Sequence, residues 1–195
     1  VPVFAVQHPE PRVRMLDRFL AVAEIDEVDS VVVFNKVDLG VPDAIQSAAE
    51  RYRGIGYEVL FTSALEGQGM EALRDVLRDR VSAVVGPSGV GKSRLLNAVE
   101  PGLGLKVGAV SSALQKGKHT TRVGELHRLS FGGLVADTPG LNSPVSVILM
   151  VGGTRNHVSP TSRSAAASVR SMPVENALTA PYEQVCESLP TRIFP

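Results

Sequence analysis

One glycine-rich segment constrains the fold of this chain more than any other feature. Residues 86–93 read Gly-Pro-Ser-Gly-Val-Gly-Lys-Ser and fit the pattern G-x-x-x-x-G-K-[S/T]. The apolar run 81–85 precedes the segment, and a helix is predicted over residues 92–99 after it. In that setting, glycines turn backbone N–H groups inward and the helix N-terminus adds partial positive charge, as in a phosphate-binding loop. The alternative is a glycine-rich turn that holds no ligand.

Strand-like and helix-like segments alternate around this loop. Strands are predicted over residues 1–6, 30–34, 57–61 and 81–85. Helices are predicted over residues 12–24, 42–53, 71–80 and 92–99. This alternation predicts an α/β fold, the three-layer sandwich of P-loop NTPases with a mostly parallel sheet. Residues 102–118 are predicted to be a loop. The Gly-Gly pair at 132–133, between runs 123–129 and 134–136, predicts a hairpin.

The composition fits such a domain and excludes several other classes. Twenty acidic and twenty basic residues cancel, so net charge indicates neither a nucleic-acid nor a membrane partner. The single cysteine, Cys186, excludes an internal disulfide framework, and zinc is not expected in this chain. No apolar run approaches the roughly 20 residues of a membrane-spanning helix, and the first residues carry no charged leader. We expect a monomer.

Residues 35–38, Asn-Lys-Val-Asp, directly follow a predicted strand and are typical of guanine recognition. The Asp38 carboxylate can accept the N1 and 2-amino protons of guanine, a pair of donors that adenine lacks. Asn35 would brace the loop and contact the base edge, and the stem of Lys36 would lie over the ring. The alternative is a polar turn after a strand.

Two further groups complete the predicted nucleotide contacts. Ser63 and Ala64 follow the next strand, where a backbone N–H group could meet the guanine oxygen. In the phosphate loop, Lys92 would reach the β- and γ-phosphates, and the Ser93 hydroxyl would ligate Mg²⁺. The other predicted contacts of that loop are Gly86, Ser88, Gly89, Val90, Gly91 and Arg94.

Residues that would sense the γ-phosphate are predicted further along the chain. Residues 137–140, Asp-Thr-Pro-Gly, follow a predicted strand, so Asp137 would hold the water shell of Mg²⁺ and the Gly140 N–H would meet the γ-phosphate. Thr120 or Thr121 should ligate Mg²⁺ when GTP is bound, and Thr121 is favoured. Loss of the γ-phosphate would release both segments.

The position of the catalytic water is less constrained. Leu141 occupies the place where many GTPases carry a water-positioning glutamine. In addition to Lys92, the nearest candidate catalytic residue is His119, although a lone histidine in a loop is more often only solvated. A local basic cluster either meets nucleic-acid phosphate or is a solvated loop; it comprises Lys106, Lys116, Lys118, Arg122 and Arg128.

The order of the motifs is reversed relative to an ordinary GTPase. The base-reading motifs start at positions 35 and 63, and the phosphate, switch and Asp-x-x-Gly motifs follow at 86, 120 and 137. A circular permutation preserves the sheet and the site because domain termini often lie close together. We therefore predict a circularly permuted GTPase domain.

With these motifs, the chain resembles the RsgA (YjeQ) family of circularly permuted ribosome-assembly GTPases over about residues 3–143. The resemblance implies GTP hydrolysis, with GTP/GDP and Mg²⁺, stimulated by the small ribosomal subunit late in its maturation. It also implies contact with rRNA, a cytoplasmic or chloroplast location, a hydrophobic residue where Leu141 stands, and a catalytic switch histidine, which His119 matches. The stretches that carry the resemblance are 16–20, 35–38, 86–97, 116–121 and 137–140.

The chain departs from the family at both ends. Family members carry an N-terminal oligonucleotide-binding barrel, whereas this sequence begins with the predicted GTPase domain, residues 1–143. They also carry a C-terminal zinc domain, but residues 144–195 offer only His157 and Cys186 as ligands, too few for a structural zinc site. We interpret this irregular tail, to about residue 185, as an insertion or translated non-coding sequence. The alternative function is therefore a truncated, catalytically weak guanine-nucleotide-binding module without a ribosomal role.

Overall fold

The computed structural model describes residues 1–106 and 125–137, except for the side chains of Glu125 and Asp137. Two short 3₁₀ turns, Val37–Leu39 and Pro101–Leu103, accompany the regular elements. In chain order the strands and helices are β1 Val3–Ala5, α1 Val13–Ile25, β2 Val31–Asn35, α2 Asp43–Gly54, β3 Glu58–Thr62, α3 Met70–Leu77, β4 Val81–Val84, α4 Lys92–Val99, β5 Glu125–Arg128 and β6 Leu134–Asp137.

The strands form two three-stranded sheets that meet edge to edge. One sheet has the order β1-β2-β3 and the other β4-β6-β5. A parallel bridge between Pro2 and Val85 joins β1 to β4, with the Val3 N–H donating to the Val85 carbonyl at 2.7 Å. Only the pairing of β5 with β6 is antiparallel among the described strands. The predicted mostly parallel sheet is confirmed.

This strand order locates the crevice in which a ligand is expected. After β1 the chain adds β2 and β3 on one side, and after β4 it adds β5 and β6 on the other, with β6 lying between β4 and β5. The direction of winding therefore changes between β1 and β4. In open α/β sheets, ligands bind outside the carboxyl ends of the strands at such a point. The loop 86–91 leaves β4 there.

The core consists of two apolar layers, one on each face of the sheet. Side chains alternate between the faces along a strand, so Val3 and Ala5 pack with α3 and α4, whereas Phe4 and Val6 pack with α1 and α2. Phe4 meets Phe19 of α1 edge to face, with ring centroids 6.2 Å apart. Helices thus cover both faces, which confirms the predicted three-layer sandwich.

Polar contacts join the two helices of one outer layer. The Tyr52 hydroxyl of α2 donates to the buried Asp17 carboxylate of α1 at 2.7 Å. After α2, the Tyr57 hydroxyl donates to Glu24 at 2.8 Å. These hydrogen bonds satisfy carboxylates that α1 carries close to its apolar face, so α1 and α2 hold a defined register.

The predicted hairpin between β5 and β6 is confirmed, and it explains why α3 is shorter than the predicted helix 71–80. The Leu129 N–H donates to the Gly133 carbonyl at 3.1 Å across the turn. A Cβ atom at Gly133 would lie 2.6 Å from the Leu77 carbonyl oxygen, so the turn packs directly on the end of α3. The chain leaves the helix after Leu77, and Asp79 adopts a positive φ of 55°.

The predicted loop 102–118 begins with local order. The Asn97 side chain of α4 donates to the Leu105 carbonyl at 2.8 Å and accepts from the Leu105 N–H at 2.9 Å. Residues 107–118 of that prediction lie outside the described residues. Among the helices that the structure describes, none is both long and apolar enough to cross a bilayer.

Candidate nucleotide-binding site

The loop after β4 has the backbone of an anion cradle. Gly86, Gly89 and Gly91 have φ values of 145°, 82° and 95°, which residues with a Cβ atom rarely adopt. Gly91 is the N-cap of α4, so the first helical N–H groups and Lys92 face the loop. The Lys92 side chain is 7% exposed, and its ammonium donates to the Gly86 and Pro87 carbonyls at 2.7 and 3.0 Å. A fixed cation and inward N–H groups suit a phosphate chain.

Asn35, at the end of β2, connects three loops. Its side chain is 2% exposed, and its Nδ2 atom donates to the Val90 carbonyl in the glycine-rich loop at 2.9 Å. Its Oδ1 atom accepts from the Thr62 hydroxyl at 3.2 Å and from the Ala64 N–H at 3.3 Å. Asn35 therefore holds the turn that carries Asp38 against the glycine-rich loop. A backbone N–H group of the Ser63–Ala64 turn was predicted to meet a guanine oxygen, and the Ala64 N–H donates to Asn35 here.

Lys36 makes a second connection between the same loops. The residue has a left-handed backbone, with φ 69°, which directs its side chain towards the glycine-rich loop. Its ammonium donates to the Gly89 carbonyl at 2.8 Å and to the His8 carbonyl. Partial burial lowers the pKa of Lys36, and the positive charge of Arg94 lowers it further, whereas Asp38 opposes the shift. The long stem thus lies along one wall of the site.

Asp38 lies on the 3₁₀ turn that follows β2, and a buried serine orients its carboxylate. The Ser63 hydroxyl donates to Asp38 Oδ1 at 2.5 Å and accepts from the Glu66 N–H at 3.1 Å. Ser63 itself is fully buried. One carboxylate oxygen is thereby held, and the half-buried carboxylate remains an acceptor for a pair of donors on a planar base.

The loop between β1 and α1 contributes to the site, and the sequence patterns did not predict this. The Gln7 carboxamide donates to the Leu39 and Gly40 carbonyls at 2.9 and 3.0 Å. The His8–Pro9 peptide bond is cis, and Pro9 Cδ lies 3.7 Å from where a Cβ atom of Gly89 would be. Residues 7–11 lie between the predicted strand 1–6 and the predicted helix 12–24, and nothing in their sequence indicates which loops they approach.

The remaining predicted residues divide into two groups. Ser93 and Arg94 lie in the first turn of α4, with Ser93 half-buried and Arg94 exposed. The backbone of Asp137 ends β6 opposite Val84, so β6 ends beside the start of the glycine-rich loop. The side chain of Asp137 lies outside the described residues, as do His119, Thr120, Thr121, Gly140 and Leu141. Within residues 1–106 and 125–137, no group of three or more His, Cys, Asp or Glu side chains is placed to hold a metal ion.

The geometry agrees with comparisons to known proteins. The family model for the RsgA GTPase matches residues 1–146. The chain belongs to the RsgA GTPase family. RsgA proteins of two organisms, named small ribosomal subunit biogenesis GTPases, illustrate the similarity. The protein of Gemmatimonas aurantiaca is 50% identical over 139 residues, covering 71% of this chain and 45% of that relative. The protein of Moorella thermoacetica is 49% identical over 140 residues, covering 72% and 48%.

Two solved structures show the same fold as this RsgA-family chain. YjeQ from Thermotoga maritima superposes with a TM-score of 0.58 at 38% identity, covering 71% of this chain and 47% of that one. YloQ, described as a circularly permuted GTPase, superposes with a TM-score of 0.54 at 36% identity, covering 72% and 44%. The predicted permuted motif order is confirmed. The chain spans about half the length of the curated RsgA relatives that it matches.

Proposed function

We propose that this chain binds GTP and hydrolyses it to GDP and phosphate, acting in late maturation of the small ribosomal subunit. The contact between Asn35 and the Val90 carbonyl carries the proposal. This contact places the loop that bears Asp38 against the loop that bears Lys92, so a single nucleotide can reach both. The family and the names of its members supply the reaction and the ribosomal role.

Separate groups of described residues would contact the base and the phosphates of the nucleotide. The Asp38 carboxylate would accept both guanine donors, Lys36 would lie over the ring, and the Ser63–Ala64 turn would bound the base. Lys92 would turn from the loop carbonyls to the β- and γ-phosphates. The inward N–H groups of the loop would bind the remaining phosphate oxygens, and the residues that supply this part are Gly86, Ser88, Gly89, Val90, Gly91, Ser93 and Arg94.

Hydrolysis requires a metal ion and a positioned water. Ser93 and Thr121 would ligate Mg²⁺ and Asp137 would hold its water shell, because this hard cation prefers oxygen ligands and keeps several waters. When bound, the ion neutralises charge that develops on the transferred phosphoryl group. Lys92 would stabilise the same charge from the phosphate loop. Since the Leu141 side chain has no hydrogen-bonding group to orient a water, we assign that role to His119, with Gly140 contacting the γ-phosphate.

The proposed partner is the small ribosomal subunit with its rRNA. Two members of the basic cluster, Lys106 and Arg128, are exposed in the described part of the chain and would approach rRNA phosphates. We assign the GTPase domain to residues 1–143 and leave 144–195 without a role. We place the protein in the cytoplasm as a monomer; the relatives from Gemmatimonas aurantiaca and Moorella thermoacetica give no support to the chloroplast alternative.

Turnover measurements with and without purified small subunits test the proposal. We expect GTP hydrolysis that the subunits stimulate and that Lys92→Ala reduces by about a hundredfold, as when a charge-stabilising group is lost at a reaction centre. Arg18→Ala, at an exposed position of α1, is the control for a lost surface cation. Stimulation that persists in Lys92→Ala would contradict the assignment.

A binding module without catalysis is the second candidate. It is favoured by Leu141, whose apolar side chain stands where many GTPases carry a water-positioning glutamine. Tight GDP and GTP binding with no turnover, even in the presence of small subunits, would support this module. Measurable turnover that depends on Lys92 would exclude it.

Competition between nucleotides tests the base preference separately. GTP should displace a bound fluorescent GDP far more effectively than ATP does. Asp38→Asn should relax the preference, because the amide cannot accept from both guanine donors as a carboxylate can. Equal competition by ATP and GTP against the wild-type chain would mean that the 35–38 motif does not read guanine.

A further inference from the structure

Residues 7–9, between β1 and α1, contact both halves of the site, and we call them the bracket. Val6 N–H donates to the Asn35 carbonyl at 2.8 Å, which continues the β1–β2 pairing beyond Ala5. His8 then presents its carbonyl to the Lys36 ammonium, and Pro9 lies next to Gly89. Three consecutive residues, 7–9, thus contact both the base-reading loop and the phosphate loop.

Gln7 makes the most specific contact of this bracket. Its carboxamide nitrogen donates to the Leu39 carbonyl at 2.9 Å and to the Gly40 carbonyl at 3.0 Å. A side-chain amide has two N–H donors, so these two carbonyls use both of them. The side chain is half-buried, whereas Leu39 and Gly40 are exposed. Water can hydrogen-bond to these exposed carbonyls in the absence of Gln7. The hydrogen bonds from Gln7 therefore serve to fix the position of the turn.

The turn held by Gln7 is the one that carries Asp38. Leu39 N–H donates to the Lys36 carbonyl and Gly40 N–H to the Val37 carbonyl, both at 3.0 Å, which makes residues 36–40 one tight unit. Gly40 leaves the unit with φ 83° and has no neighbouring atom within 4 Å of where its Cβ would be. Side-chain hydrogen bonds hold this unit in place: Ser63 binds its carboxylate, Gln7 binds its last two carbonyls, and Lys36 ties it to the glycine-rich loop.

We propose that Gln7 is a positioning residue for guanine selection, because it holds the far end of the turn on which Asp38 sits. Ser63 orients one carboxylate oxygen, and Gln7 fixes the backbone that follows the carboxylate. Together they would set the tilt at which the two oxygens meet the N1 and 2-amino donors of guanine. This inference rests on the proposed nucleotide site but concerns residues that the guanine motif does not include.

Positioning differs from general support in its effect on two related bases. Hypoxanthine keeps the N1 donor of guanine and lacks the 2-amino group, so the ratio of GDP to IDP affinity reports how well the second donor is met. A hydrogen bond to a charged acceptor contributes about 1.5–3 kcal/mol, so the wild-type ratio should be about 10 to 150. A merely structural residue would lower both affinities and leave that ratio unchanged.

The experiment measures GDP, IDP and ADP affinities by calorimetry on the full 195-residue chain and on two variants. Gln7→Ala removes the donors, and Gln7→Glu keeps the size but supplies acceptors in place of donors. Gln46→Ala and Gln46→Glu are the matched controls, because Gln46 is an exposed glutamine of α2 whose side chain donates to Glu50 on the same helix.

We expect GDP affinity to fall about fivefold to twentyfold in Gln7→Ala, as for the loss of two hydrogen bonds to a partly exposed turn. The GDP-to-IDP ratio should fall about threefold or more. Gln7→Glu should reduce both quantities further because its carboxylate faces two carbonyl oxygens. The two Gln46 variants should match the wild type.

Three other outcomes would overturn the inference. A wild-type chain that does not prefer GDP to ADP would overturn the proposed function and this inference together. A wild-type preference for GDP with an unchanged GDP-to-IDP ratio in both Gln7 variants would overturn only the inference. Urea unfolding measures whether the variants fold. If both Gln7 variants have lost the folded state, Gln7 serves folding, and the inference is also overturned.

Discussion

The Nδ2 atom of Asn35 lies 2.9 Å from the carbonyl oxygen of Val90, a residue 55 positions later in the chain. Because the Thr62 hydroxyl and the Ala64 N–H both donate to the amide oxygen of Asn35, the amide nitrogen must face Val90. The orientation of one side chain thus couples the turn that carries Asp38 to the glycine-rich loop 86–91. Contacts around this amide should therefore affect both stability and nucleotide affinity.

Thr62 is the residue that this relationship singles out for mutation. Thr62→Val preserves the shape of a fully buried side chain and removes the hydroxyl that Asn35 accepts from. We expect unfolding free energy to fall by about 1 kcal/mol or more and GDP affinity to fall severalfold, because a buried hydrogen bond is lost. Urea unfolding and calorimetry measure the two effects. Thr62→Ser retains the hydroxyl and should keep most of the affinity; equal affinities for the two variants would refute the orienting role.

Gly86 is predicted to tolerate no side chain. A Cβ atom there would lie 2.1 Å from the Val3 carbonyl oxygen, a backbone atom of β1, and φ is 145°. Gly56 is the matched control, since its φ is 104° and nothing lies within 4 Å of its Cβ position. We expect Gly56→Ala to cost about 1 kcal/mol from backbone strain alone and Gly86→Ala about 2–5 kcal/mol from strain plus overpacking. Denaturant unfolding compares them, and equal costs would argue against close packing of the glycine-rich loop on β1.

Alkaline pH should destabilise the layer formed by α1 and α2. Burial is the main cause that raises the pKa of Tyr57 above its ordinary value of 10.0, and the nearby Glu24 carboxylate raises it further. Burial and the Asp17 carboxylate raise the pKa of Tyr52 in the same way. Above about pH 10 the unfolded chain loses these protons while the folded chain retains them. The unfolding free energy therefore falls as pH rises, by up to about 1.4 kcal/mol per pH unit for each phenol.

Tyr57→Phe tests this pH dependence. The substitution removes one titrating group, so the slope of unfolding free energy against pH, measured with urea above about pH 10, should become shallower. Near neutral pH the same variant should lose only the contribution of its hydrogen bond to Glu24. An unchanged alkaline slope would mean that Tyr57 ionises equally in the folded and unfolded chains.

The turn of the β5–β6 hairpin is anchored to the end of α4 by Glu100. The Ser130 hydroxyl and N–H donate to Glu100 Oε2 at 2.5 and 2.8 Å. Both hydrogen bonds hold the pKa of Glu100 below its usual value, and the hydroxyl has the larger effect. A lowered carboxyl pKa stabilises the fold above the unfolded pKa and ceases to do so as pH falls through the folded one.

Ser130→Ala should raise the pKa of Glu100 part of the way to its ordinary value, because the backbone donor remains. A carbon-13 NMR titration of the Glu100 carboxyl group measures the shift. Ser130→Thr keeps a hydroxyl and should titrate close to the wild type. If all three proteins titrate alike, the hydroxyl does not contribute to the anchor in solution.

Local patterns in the sequence were enough to predict the architecture. The glycine-rich segment, the apolar runs and the alternation of strands with helices are short-range features, and short-range sterics and burial decide them. The two faces of β1, with Val3 and Ala5 on one side and Phe4 on the other, follow from the period of two residues in a strand. The hairpin at Gly132–133 was likewise predicted, whereas the early end of α3 was not, since it depends on that hairpin packing against Leu77.

Only the tertiary structure decided how the site is held together. That Gln7 supports the turn of Asp38, and that Asn35 reaches Val90, depends on the register in which Ala5 faces Asn35 and on the bridge that joins β1 to β4. These contacts join residues far apart in sequence, and side chains as ordinary as glutamine carry no local mark of the loop they will meet. The residues of the motifs therefore determined what kind of site this is, and the packing of parallel strands decided which residues brace it.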